Sequence, residues 1–212
     1  NPTLEEVIPF LERIFTVNSP LMAQPNPSME QIRERSLAMA EARAPGLIEE
    51  YKEIGGSPLH AQAREQAAGL RAELERRGHD ATVLLGMQFT RPSIREALEE
   101  ARASHAEFLV PVAVYPLCGP STSVAAQAEI DRELADLGWD VEMRQVTGWH
   151  RHPAYVKLRA DAIRAIYRDN GLSIDDPRTR LVFSAHGTPI KYLREGSRYD
   201  NYVREFCAAV AR

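Results

Sequence analysis

The sequence predicts a doubly wound α/β fold, a parallel sheet with helices on both faces, and three observations carry that prediction. Apolar runs of strand length alternate with amphipathic stretches of helix length along most of the chain. The principal runs are almost wholly apolar, as strands buried on both faces are. Connections of ten or more residues separate them, which parallel pairing with right-handed crossovers requires. At 212 residues, 44% of them hydrophobic, the chain can bury a substantial core.

Thr3 and Glu6 form a Thr-x-x-Glu capping box, and Leu4, Val7, Ile8, Leu11, Ile14 and Phe15 follow at helical spacing, so residues 3–15 predict a short amphipathic helix. Residues 18–28 hold three prolines in eleven positions and predict a loop. Its Leu21 and Met22 either tuck onto the core or form a lip over an apolar ligand. A second helix is expected from about Ser28 to Tyr51, interrupted near Pro45-Gly46 and ended by Gly55-Gly56-Ser57-Pro58. Ala61 to Arg77 predicts a helix that stops at Gly78, and Ala81 to Met87 a buried strand. Pro92 suits a helix's first turn, with Ile94, Ala97, Leu98 and Ala101 on one face.

The unit then recurs. Phe108–Tyr115 predicts a strand, Ser121–Leu137 a helix stopped by Gly138, Val141–Val146 a weaker strand and Pro153–Tyr167 a helix. Arg180–Ala185 predicts another strand, feeding Gly187 and a last helix from about Ile190 to the end. Ligands of such sheets bind beyond the carboxyl ends of the strands, which directs attention to 88–92, 116–123, 147–152 and 186–189.

Those four segments carry the polar, aromatic and imidazole groups. His186 follows Ser184-Ala185 and precedes Gly187, so it is the strongest single candidate for proton exchange or metal ligation, against the plainer role of a packing residue. His150 and His152 form a His-x-His pair that reads more readily as a turn before Pro153 than as a metal site. His60, His79 and His105 read as solvated. Ser121-Thr122-Ser123 is either a helix cap or an oxyanion site. Cys118 reads as a small buried residue and Cys207 as core; Arg33, Arg43 and Tyr51 read by themselves as helix-surface residues. Neither a dinucleotide fingerprint, a phosphate loop nor a nucleophile elbow is encoded.

Lys+Arg number 26 against Asp+Glu 30, a net charge of −4 that gives no electrostatic case for nucleic acid. Two distant cysteines form neither a disulfide framework nor a zinc knuckle, and a reducing cytoplasm is expected. No apolar run approaches the roughly 18–20 residues that span a bilayer. Asn1 is not an initiator Met, so preceding residues are expected.

Phe183-Ser-Ala-His-Gly-Thr-Pro189, followed by Gly196-Ser-Arg-Tyr199, resembles the active-site signature of ferrochelatases, the metal-inserting enzymes of haem synthesis. Four further landmarks occur in that family's order: Val7-x-x-Phe10-Leu11 with Leu21-Met22-x-x-Pro25; Tyr51-x-x-Ile54-Gly-Gly-Ser-Pro58; Gly86-Met87-x-Phe89-x-x-Pro92; and Tyr115-Pro116 leading to Ser121-Thr122-Ser123.

The resemblance implies a chelatase-like domain, residues 1–212, as the amino-terminal one of an expected two, with 16–46 as the porphyrin-facing lip region. It implies a lyase that inserts Fe²⁺, its substrate, into protoporphyrin IX or coproporphyrin III, with no cofactor in this chain. His186 would be both catalytic and metal-facing; Met22, Arg43, Tyr51, Gln88, Phe89 and Ser121 would hold the porphyrin. An opening strand before Asn1 and a second domain after Arg212, bearing an acidic partner, would complete the enzyme, so this chain alone is expected to be inactive. Three positions depart from the family pattern: Gln88 stands where many members carry Arg, His or Lys, the Gly-Gly-Ser-Pro turn is a glycine short, and Ser197 replaces an Asp. Two alternatives stay open: a tetrapyrrole- or metal-binding module without chemistry, and a cobalt chelatase using a second histidine, for which His150 or His152 is the candidate. Oligomeric state and a peripheral membrane contact are left open.

Overall fold

A computed structural model describes residues 4–19 and 27–212. Thr3 of the expected capping box and Leu21 and Met22 of the lip lie outside them. The chain packs as two units. The first takes in residues up to Ala106 with Arg132–Trp139; the second is Glu107–Asp131 with Asp140–Arg212.

The first unit is built on a helical hairpin, α1 (Leu4–Val17) against α2 (Met29–Glu53). Val7 and Leu11 lie one turn apart and meet Ala40 and Ala44, also one turn apart, with Ile8, Phe10, Phe15, Leu47 and Ile48 packed around them. The two alanines present no bulk, so α1 approaches closely. Ser28 starts α2 with a capping box, its Oγ accepting from Gln31 N–H while the Gln31 side chain accepts from Ser28 N–H, an arrangement worth about 1 kcal/mol. The expected interruption at Pro45-Gly46 does not occur: α2 runs through both. Pro45 removes one helical N–H, but Ala44 beside it is buried against α1, and that packing outweighs the lost bond.

Helix α3 (Leu59–Arg76) buries no residue, and Gly78 ends it at φ 77°. The expected strand 81–87 forms no ladder among the described residues beyond a parallel bridge of Met87 with Ser93. Ser93, not Pro92, opens α4 (Ile94–Ala103), because its Oγ accepts from Glu96 N–H and the Glu96 carboxylate accepts in return. Ile94, Leu98 and Ala101 form the buried face of α4. Arg95 reaches Glu133 and Arg102 the Leu137 carbonyl.

In the second unit β1 (Phe108–Leu109) pairs in parallel with β2 (Glu142–Met143), in register Phe108–Glu142 and Leu109–Met143, with a further parallel bridge of Val112 to Val146. The expected parallel pairing of these two segments is therefore present, but shorter than the apolar runs. Pro111 brings no N–H to the ladder. Among the described residues the sheet has two strands, so the doubly wound sheet is not realised there. Residues 180–185 are without a ladder, and Val182 is 81% exposed. A five-residue π-type turn, Pro120–Val124, leads into α5 (Ala125–Leu137), stopped at Gly138 as expected. Past β2, Gly148 at φ 65° turns into a 3₁₀ turn (Trp149–Arg151) and α6 (Pro153–Asp169). The single last helix is instead two, α7 (Ile190–Arg194) and α8 (Tyr199–Val210). Gly196 at φ 97° reverses the chain between them, a conformation glycine adopts without a Cβ penalty.

Candidate functional site

In the first unit, the segment after the unladdered strand run holds the GMQF landmark. Gly86 lies so close to α4 that a Cβ there would stand 3.2 Å from the Ile94 Cα, which fixes glycine at this position. Gln88 is buried, and neither its Oε1 nor its Nε2 has a hydrogen-bond partner. An enclosed amide of this kind costs roughly 1–3 kcal/mol per unmet group, a cost expected at functional positions more than in plain cores. Phe89 meets Phe10 of α1 edge to face at 6.4 Å. Thr90 Oγ1 lies 3.1 Å from His60 Nε2, so His60 is half-buried and engaged, not solvated as expected from its place near a helix start.

Arg43 projects from α2 and already grips Glu50, one guanidinium nitrogen lying 2.9 Å from each carboxylate oxygen. Both are exposed, 46% and 58%, and such pairs are worth about 0–1 kcal/mol, so a ligand carboxylate could displace Glu50 at small cost. The expected interruption at Pro45-Gly46 falls between Arg43 and Glu50, so this pairing across two turns became visible only with the continuous α2. Tyr51 is half-buried on the same helix.

In the second unit the turn after β1 is tied to itself. Ser123, almost fully buried, accepts from Gly119 N–H and donates to Cys118 Sγ at 3.1 Å, while Thr122 donates to the Gly119 carbonyl. Ser121 sits on the outside, exposed and without a hydrogen bond among the described residues. Ser123 is thus the residue that holds the turn, and Ser121 the one free to meet a ligand. Cys118 is half-buried rather than fully buried, and Cys207 likewise. Beyond the carboxyl ends of β1 and β2 lies an open cleft of about 310 Å³, lined by Cys118, Ser123, Gln127, Asp131, Gln145 and Thr147 among others. That is where the α/β rule places a ligand crevice, yet neither Ser121 nor His186 lines it.

His186 is exposed, as are its neighbours from 180 to 187, and carries no hydrogen bond or ion pair among the described residues. His150, by contrast, is 4% exposed, with Nε2 3.3 Å from Glu205 and its ring 5.0 Å from Tyr202. It is therefore committed within its own unit, and of the two candidates for a second chemical histidine only His152 is exposed. Among the described residues no group of three or more His, Cys, Asp and Glu is placed to hold a metal ion. No described helix is long and apolar enough to cross a membrane.

Parallel strands with a crevice beyond their carboxyl ends place the second unit among the α/β folds. The Ferrochelatase family profile matches residues 1–212, and the chain belongs to that family. Similar proteins include ferrochelatases of Synechococcus sp. (31% identical over 206 residues, covering 95% of this chain and 50% of that protein), Nitrosococcus oceani (35% over 144 residues, 68% and 38%) and Trichodesmium erythraeum (30% over 206 residues, 95% and 52%). The chain spans about half the length of the curated relatives it matches.

Proposed function

We propose that this chain is the amino-terminal part of a ferrochelatase, a lyase that inserts Fe²⁺ into a porphyrin, protoporphyrin IX or coproporphyrin III, in haem synthesis. The observation that carries the reading is the family match over residues 1–212. Insertion replaces two pyrrole N–H bonds with bonds from nitrogen to the metal and releases two protons. A neutral imidazole accepts such protons near neutral pH, and His186, exposed and without a partner among the described residues, has a free lone pair for it. The same lone pair faces an arriving ferrous ion. In this reading, which rests on the resemblance, Arg43 and Ser121 would each be able to meet a carboxylate of the porphyrin, and Tyr51, Gln88 and Phe89 would serve its apolar ring. Met22, in the 16–46 lip region, would cover it.

A second domain, following Arg212, supplies the opposite wall and an acidic partner in this reading, and a strand before Asn1 completes the sheet. The chain by itself is then expected to turn over little or no substrate. Following metalloporphyrin absorbance with Fe²⁺ or Zn²⁺, for this chain and for one extended at both ends, tests the reading. Insertion by the extended protein alone supports it. Full activity of the short chain would remove the need for the second domain, and inactivity of the extended protein with tight porphyrin binding would leave a binding module.

A further inference from the structure

The second unit contains a histidine that the proposed chemistry does not use, and its surroundings are more elaborate than packing requires. His150 is buried in the 3₁₀ turn after β2. Its backbone N–H donates to the Pro116 carbonyl at 3.1 Å, at the base of the turn that carries Ser121. Its ring lies against Tyr202 of α8, and its Nε2 is 3.3 Å from the Glu205 carboxylate on the same helix. A carboxylate only accepts, so Nε2–H donates; Nδ1 is enclosed with no partner. Arg151 approaches the same Glu205 oxygen at 3.9 Å, and the Arg198 guanidinium lies over the Tyr202 ring, 5.8 Å from its centroid.

The neighbouring contacts complete a closed arrangement. Trp149 donates its indole N–H to the Ala113 carbonyl at 2.8 Å and meets Tyr155 of α6 edge-on, and Tyr155 stacks on Phe206 of α8. A Cβ on Gly119 would stand 3.7 Å from the Tyr199 ring. Tyr199, Tyr202, Glu205 and Phe206 recur at spacings of three and four, so one face of α8 meets both the 116–123 turn and the 149–151 turn. An apolar residue at 150 would fill the space without enclosing an unmet nitrogen. The imidazole adds direction, a hydrogen bond that fixes which part of α8 the turn sits upon.

We propose that His150 is a positioning residue. Through Glu205 and Tyr202 it holds the 116–123 turn against α8, and so sets where Ser121 meets a carboxylate of the substrate. The inference rests on the porphyrin-binding role proposed for Ser121, so one of its readouts must be independent of that role.

In the complete polypeptide, His150→Ala should raise the porphyrin KM about tenfold while kcat stays within about twofold, the pattern of lost binding rather than lost chemistry. His150→Gln keeps an N–H donor for Glu205 and should restore most of the loss. Glu205→Leu should reproduce the alanine variant and Glu205→Gln, which keeps an acceptor, should not; this pair carries the test if His150→Ala fails to fold. Independently of any substrate, alkylation of Cys118, followed by peptide mapping, should speed up severalfold in His150→Ala and Glu205→Leu and return toward wild type in His150→Gln. Unchanged Cys118 reactivity in folded variants, a glutamine variant no better than alanine, or a fall in kcat at constant KM overturns the proposal. A wild-type protein that binds no porphyrin while Cys118 responds as stated would sink the role of Ser121 and leave the positioning of the turn standing.

Discussion

The second unit places two histidines just past apolar runs, and the structure treats them oppositely. His150 is enclosed, bonded to Glu205, set at a tilt against the Tyr202 ring and tied through its backbone to Pro116. His186 stands exposed in a segment without a ladder, with no partner among the described residues. Both follow strand-like sequence and both precede a helix within a few residues. The difference lies in what comes after: Pro153 starts a long helix whose Tyr155 packs back on Trp149 and Phe206, whereas His186 is followed by Gly187 and a short helix that buries nothing. An imidazole held through Nε2 and its ring face gives direction to the turn; one left exposed keeps a lone pair for a proton or a metal.

That contrast predicts opposite responses to mutation. His186→Ala in the complete protein should lower metal insertion by about 10²–10⁴-fold, the usual worth of a positioned proton acceptor. Its unfolding free energy should change by less than about 0.5 kcal/mol, as for an exposed site. Denaturant unfolding beside the absorbance assay checks both, and retained insertion would take His186 out of the chemistry.

Ser123→Ala, in the held turn, should do the reverse. It deprives Gly119 N–H of its acceptor in a buried place and should cost about 1–2 kcal/mol in denaturant unfolding. Insertion should fall less than in His186→Ala; an equal fall would erase the distinction between holding and reacting groups.

A smaller effect is expected at Arg43. Glu50→Gln removes the charge that competes for the guanidinium, so porphyrin affinity, read by fluorescence quenching, should rise about two- to fivefold, in line with the worth of an exposed pair. No gain would mean that Arg43 does not meet the propionates.

The smallest effect is read by pH, at an exposed carboxylate of the first unit. Glu73, beside Arg76 and Arg77, is held down to about 2 from 4.5, mainly by its hydrogen bond to Arg76. Its folded-state value lies below its unfolded one, so the ionised form adds stability above 4.5 that is lost as the pH falls toward 2. Glu73→Gln should therefore lower stability slightly at neutral pH, an effect weakened by solvent screening at this exposed site, and flatten the acid unfolding between 4.5 and about 2, with no difference from wild type below that window. Equal stability of variant and wild type at neutral pH would show that the Glu73–Arg76 pair adds nothing.

The helices were legible because helix formation is local. The spacing of Val7 and Leu11, and of Ala40 and Ala44, lies within single segments, and those residues became the core of the first unit. Pro45 misled because a proline rule applied to an isolated helix omits the tertiary contact that keeps α2 continuous. The capping of α4 by Ser93 is also written locally, in Ser93 and Glu96, one residue past the Pro92 that marks the start of the helix in the sequence. Strands were less legible. Apolar runs at 81–87 and 180–185 state that a strand is suitable, but a ladder needs a neighbour on each edge, and a neighbour is a non-local fact. At the site, residue types were visible and engagement was not. Nothing in the order of residues shows that His150 is bonded to Glu205, marks Ser123 as the holder and Ser121 as the outward hydroxyl, or shows that His60 meets Thr90.

The sequence by itself determined the helices of the hairpin, the parallel relation of the runs around Phe108 and Glu142, the turns at Gly78 and Gly138, and the motifs that ally the chain with the ferrochelatases. Each depends on residues close together in the chain or on a pattern of types. The tertiary structure alone decided which polar groups are consumed in holding turns and which remain free. That choice depends on what packs against each side chain from distant segments, as Tyr202 and Glu205 pack against His150 and nothing described bonds to His186.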